Sequence, residues 1–126
     1  MTVIPVEKIE DRENCVPTIW RAPLSNIVDH FVIGSKIDAF DHVSIKQADE
    51  DTIRISSSNI EDYPDRIGEM SQETWRTSVY LWQETHWDVI VDLITSSGDV
   101  SDLSFHATVH ETETGYLIKP GLIYVP

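Results

Sequence analysis

The chain has 126 residues, 40% of them apolar, and sets 22 Asp and Glu against nine Lys and Arg for a formal net charge of −13. That length suits one domain with its own core (residues 1–126), and the apolar content excludes a chain left disordered for want of hydrophobicity. So acidic a surface repels nucleic acid and anionic membrane and attracts basic partners, which excludes the first two as partners.

The start, Met1-Thr-Val-Ile-Pro-Val-Glu, lacks the basic region and long apolar run of a signal peptide. No stretch approaches the roughly 20 apolar residues that span a bilayer, so the expected location is the cytoplasm. Residues 1–16 read as an arm or an edge strand, bounded by Pro17, and the single Cys15 has no internal disulfide partner. Leu24, Ile27, Val28, Phe31 and Val32 then fall on one helix face, predicting a helix over about 20–33. Pro23 suits an early helical position and Gly34 a left-handed terminus. Val43-Ser-Ile-Lys alternates briefly. Asp49-Glu-Asp-Thr favours the opening of a short helix carrying Ile53 and Ile60, although Thr52-Ile-Arg-Ile-Ser also alternates as a short strand would; Tyr63-Pro64 and Gly68 follow as a loop.

From Trp75 onward the period changes to two, predicting four strands over about 77–83, 86–95, 100–111 and 116–125. A tight turn near Gly98 that sets Leu93 opposite Leu103 also pairs Val91 with Phe105 and Val89 with Ala107, which puts every apolar residue on one face. Pro120 inside the last run implies a bulge or an edge position. The fold class is therefore α+β, an N-terminal helix packed on a C-terminal antiparallel meander, with an aliphatic and aromatic interface expected to be filled.

On the outward phase His86 faces His110, and His106 lies diagonal to Asp88 and Asp92. Imidazole and carboxylate suit zinc, but no HExxH or Cys-x-x-Cys spacing is present, so neither metal nor cofactor is expected. An acid–base pair on an open sheet lacks the dry pocket catalysis needs, and no enzyme is expected. Tyr80 and Trp82 share the phase opposite to Val79 and Leu81, so one pair points away from the core and offers an aromatic anchor. Asp88, Asp92, Asp102, Glu111 and Glu113, on sheet positions and adjoining turns, are the candidate contacts for Arg and Lys of a basic partner.

Thr74-Trp75-x-Thr77-Ser78-Val79, His86-Trp87-Asp88-Val89-Ile90-Val91-Asp92-Leu93 and Ser101-Asp102-Leu103 together resemble a family of small acidic bacterial proteins. The likeness runs from about Trp20 to Tyr124. Small acidic proteins of this kind are similar to the immunity proteins of bacterial toxin systems, including contact-dependent growth inhibition. The resemblance implies stoichiometric capture of a cognate basic toxin domain, often a nuclease, and transfers no site residues. A different class is also open: a small-molecule-binding or enzymatic α+β domain with a pocket between helix and sheet, as in folds resembling nuclear transport factor 2.

Overall fold

A computed structural model describes residues 6–9 and 12–126; of the segment expected to be an arm or edge strand, residues 1–5, 10 and 11 lie outside the described residues. The elements run β1 (Asn14–Cys15), α1 (Thr18–Ile33), β2 (Val43–Ile45), α2 (Glu50–Asp62), a 3-10 helix (Gln72–Arg76), β3 (Val79–Trp82), β4 (Trp87–Ile94), β5 (Val100–Glu111) and β6 (Tyr116–Tyr124). The sheet has six strands in the order β1-β3-β4-β5-β6-β2, not four. The two additional strands are short edge pieces from the N-terminal half. β1 pairs antiparallel with β3, and β2 lies parallel to β6. A two-residue strand and a parallel partner more than seventy residues away leave no alternation in the sequence to announce them.

α1 begins before Pro23, which sits inside the helix and is buried rather than opening it. Trp20 N–H donates to Pro17 O at 3.0 Å, and the Arg21 side chain returns to Val16 O at 2.9 Å, so the first turn finds bonds upstream of the proline. Gly34 ends the helix at φ 74°, where a residue without Cβ is unstrained. Along α1 the buried residues are Trp20, Pro23, Leu24, Ile27 and Val28. Trp20 meets Tyr80, Trp87 and Tyr116 edge-on, with ring centroids 5.2–5.6 Å apart.

α2 is capped by Asp49, whose carboxylate accepts Thr52 N–H at 2.7 Å, and it stops at Tyr63, held extended ahead of Pro64. The helix reaches the open edge of β6 at one residue. Ser56 Oγ accepts Ile123 N–H at 3.0 Å and Asn59 Nδ2 donates to Ile123 O at 2.8 Å. Side chains of a helix thus take over where β2 stops, which hides a strand edge that would otherwise invite pairing.

Val89 pairs with Ala107 and Val91 with Phe105, as the alternation requires. Leu93 and Leu103, expected to be opposite, are separated by a register shift after Asp92, so that Ile94 pairs with Val100. The bulge is local: both leucines remain buried, and the turn closes at Gly98 with φ 95°. A second shift lies between Phe105 and Ala107, opposite Pro120 and Gly121. There a Cβ on Gly121 would stand 2.7 Å from the His106 carbonyl oxygen, so the close strand approach requires glycine.

Candidate functional site

The register decides which aromatic pair leaves the core. Tyr80 pairs with Val89 and Trp82 with Trp87, so both share the core face, while Val79 and Leu81 turn outward opposite Ile90 and Asp88. Tyr80 is buried at 5% exposure and edge-on to Trp20. It offers no face to a partner, and its place among the candidate contacts is corrected accordingly. Burial also raises the Tyr80 hydroxyl above its ordinary pKa, with Glu7 adding to the effect. Trp82 is half-buried at the end of β3, its ring 4.8 Å from that of Trp87.

The five candidate acids do not form one surface. Asp88 and Asp92 lie on the outward face of β4, Asp102 near the start of β5, and Glu111 and Glu113 at and beyond its end. Asp92 is engaged internally. Its carboxylate accepts from Ser104 Oγ at 3.0 Å and from Thr77 Oγ1. Its N–H donates to Ser78 Oγ, and its carbonyl accepts from Thr74 Oγ1. These bonds lash the 3-10 segment to β4. Asp88 pairs with His86 at 3.3 Å. Asp102 is exposed, with its backbone N–H donated to Tyr63 Oη at 2.9 Å.

The outward face is therefore a histidine and aliphatic surface more than an acidic one. His86 and His110 stack at 5.3 Å, and His106 packs 4.7 Å from Tyr124. Burial lowers the pKa of His106, partly opposed by Asp88. His110 is lowered by burial, then by Lys119 and His86. Both imidazoles thus favour the neutral form. Among the described residues no group of three His, Cys, Asp or Glu side chains is placed to hold a metal ion. An open groove of about 350 Å³ runs along this face past Asp88, His106, Thr108 and Lys119.

The structure does assemble a second place. Lys8 stands with its ammonium 5.2 Å above the Trp82 ring and 2.9 Å from Glu111 Oε1. The β5–β6 turn carrying Glu113 closes through Thr112 N–H to Gly115 O. Gly115 packs so tightly on the loop before β2 that a Cβ would fall 1.9 Å from His42 O. The neighbouring β3–β4 turn holds Glu84 at φ 71°. One end of the sheet therefore gathers Trp82, Glu84, Glu111 and Glu113 on two fixed hairpins. Lys8 and Glu84 were not among the residues singled out from sequence; their roles follow from the hairpin geometry, which periodicity does not encode.

A cavity also opens at the edge of the interface expected to be filled. That cavity, about 340 Å³ and partly open to solvent, lies at the rim between α1, β2 and the opening of α2 with Pro120 on its floor, while the stripe of α1 that faces the sheet is packed into the core as expected. Among the described residues no helix is long and apolar enough to cross a membrane.

Among the described residues these features define an α+β protein of two α-helices and a six-stranded, mostly antiparallel sheet. The chain belongs to the family described as Domain of unknown function (DUF7668), whose profile matches residues 28–126. No curated protein and no solved structure matches the chain.

Proposed function

We propose that the chain is a non-catalytic binding protein of the immunity type, which captures a basic toxin domain in the cytoplasm and occludes its active site. The observation that carries this reading is the hairpin end of the sheet, where Lys8 lies over half-buried Trp82 and pairs with Glu111, and the two adjoining turns carry Glu84 and Glu113. A rigid aromatic beside carboxylates suits Arg and Lys of a partner, and Lys8 already occupies the place such a cation would take. The surrounding field favours the same partner. Among the described residues the carboxylates paired within 4.0 Å are Asp51, Glu73, Asp88 and Glu111, so most of the acidic side chains contribute to the field without a cationic neighbour. Carboxylates can stand in for the phosphates a nuclease binds, because both accept the planar fork of Arg.

The test is association kinetics with basic nuclease-type toxin domains presented as candidate partners. Glu111→Lys with Glu113→Lys should slow association about tenfold at low salt and flatten its salt dependence. Asp92→Asn, which alters an internally bonded carboxylate, should leave the rate unchanged. Equal association rates for the double variant and the parent at low salt would refute the reading.

A further inference from the structure

We propose that the cavity between α1, β2 and α2 is a binding site for a small amphipathic carboxylate, an aliphatic or aromatic acid. The site is independent of the hairpin end and does not rest on the immunity reading. Its volume of about 340 Å³ falls within the range of small-ligand pockets. The walls are apolar: Ile27 and Phe31 from α1, Ile45 from β2 and Ile53 from the first turn of α2. Each comes from an element fixed by other bonds. Ile27 is on the buried stripe of α1, Ile45 pairs with Ile118, and Ile53 follows the Asp49 cap, its N–H donating to Asp49 O at 3.1 Å.

The cavity is therefore preformed. Its floor is Pro120, whose compact ring leaves space that a longer side chain would fill. Releasing water from the cavity's isoleucine and phenylalanine walls favours an apolar occupant.

The polar groups at the cavity identify the ligand's other end. They are His30, Lys46 and Gln47. His30 Nδ1 is engaged with Ser35 O at 2.8 Å, which leaves Nε2 for a ligand. Lys46 is anchored through its backbone, its N–H donating to Ile118 O at 2.9 Å, so its ammonium swings from a fixed base. In a chain with nine Lys and Arg against 22 acids, a lysine and a histidine at one apolar cavity select an anion. Asp49, its carboxyl held below the ordinary value by the Thr52 hydrogen bonds and in smaller part by Lys46, stands within reach of the same ammonium, so a ligand carboxylate would share Lys46 with it. The apolar body then sits among the isoleucines and Phe31, with the carboxylate at Lys46 and His30.

The experiment titrates the whole chain with hexanoate, octanoate and 1-octanol, following isoleucine methyl resonances by NMR. Octanoate should shift the methyls of Ile27, Ile45 and Ile53, and its affinity should exceed that of hexanoate roughly fourfold per added methylene. Lys46→Gln should weaken octanoate roughly fivefold and leave 1-octanol unchanged. Ile53→Trp, which fills the cavity from its exposed rim, should abolish binding of both. Ala48→Leu narrows the same space and serves if the tryptophan variant does not fold. The proposal is overturned if octanoate shifts none of these methyls, or if a folded filling variant binds as the parent does. It is equally overturned if 1-octanol binds as tightly as octanoate, or if Lys46→Gln has no effect.

Discussion

Three serines stand in a row on α2, and only Ser56 is buried, with no exposed surface at all. Its hydroxyl accepts the N–H of Ile123, itself fully buried on β6. Replacing Ser56 by Ala strands that N–H without water or partner, which costs about 1–3 kcal/mol. Alanine is the better helix former by roughly 0.5 kcal/mol, so the net loss should be about 0.5–2.5 kcal/mol. The exposed Ser58→Ala supplies the control, keeping the gain in helix propensity without the loss. Urea unfolding of the two variants measures the difference, and amide hydrogen exchange at Ile123 reports the bond itself. Ser56→Ala should lower the midpoint and release the Ile123 amide, while Ser58→Ala is neutral or slightly stabilising. Equal midpoints and an equally protected Ile123 would refute the assignment of Ser56 as the cap of the β6 edge.

Other outcomes follow from the core and the outward face. The indole N–H of Trp20 is buried and meets no acceptor among the described residues. Trp20→Phe therefore removes an unpaired donor while leaving a void, and should change stability by no more than about 1 kcal/mol, whereas Trp20→Ala should cost about 3–5 kcal/mol. A phenylalanine variant as damaged as the alanine one in chemical denaturation would mean the N–H is bonded. His106 and His110 titrate below the ordinary histidine value of 6.5 in the folded chain, so the unfolded chain takes up protons first as pH falls. Stability is then fully present above pH 6.5 and declines below it until both folded-state values are passed. Melting temperatures between pH 7 and 5 check this, and His106→Gln should flatten the decline. A parent protein equally stable throughout that window would contradict it.

The hydrophobic periodicity made α1 and β3–β6 legible, because one face of each is consistently apolar and the other is not. α2 was also readable, from Asp49 and the acids of its first turn. The edge strands were not. β2 is three residues long, and its pairing with β6 opens on a bond from Tyr116 N–H to His42 O in the preceding loop, a long-range contact that leaves no periodic signal. Of the candidate site, the outward placement of Asp88 followed from alternation, and so did the pairing of His86 with His110. Phase alone did not decide between Tyr80 and Val79 as the core residue, since both are apolar in part and either register buries a pair. Nor does composition reveal that hydroxyls of Thr77 and Ser104 tie down Asp92, because their bonds depend on the 3-10 turn meeting β4.

The strand order has a consequence for a nascent chain. Translation delivers α1, β2 and α2 first, yet β2 and Ser56 find their hydrogen-bonding partners only on β6, which is made last of the elements. The buried stripe of α1 has no sheet to cover until β3 and β4 emerge, and the inner face of Val43 none until β6 does, so the usual order of domain formation from the N-terminal side is unavailable within this unit. The C-terminal strands can pair with their neighbours through short turns, whereas both sheet edges close over long sequence separations that slow folding. A ribosome paused before Ile123 would hold a polypeptide with its apolar surfaces bare. Its strongly acidic character then serves a purpose apart from any partner: like charges on neighbouring nascent chains keep those surfaces from meeting.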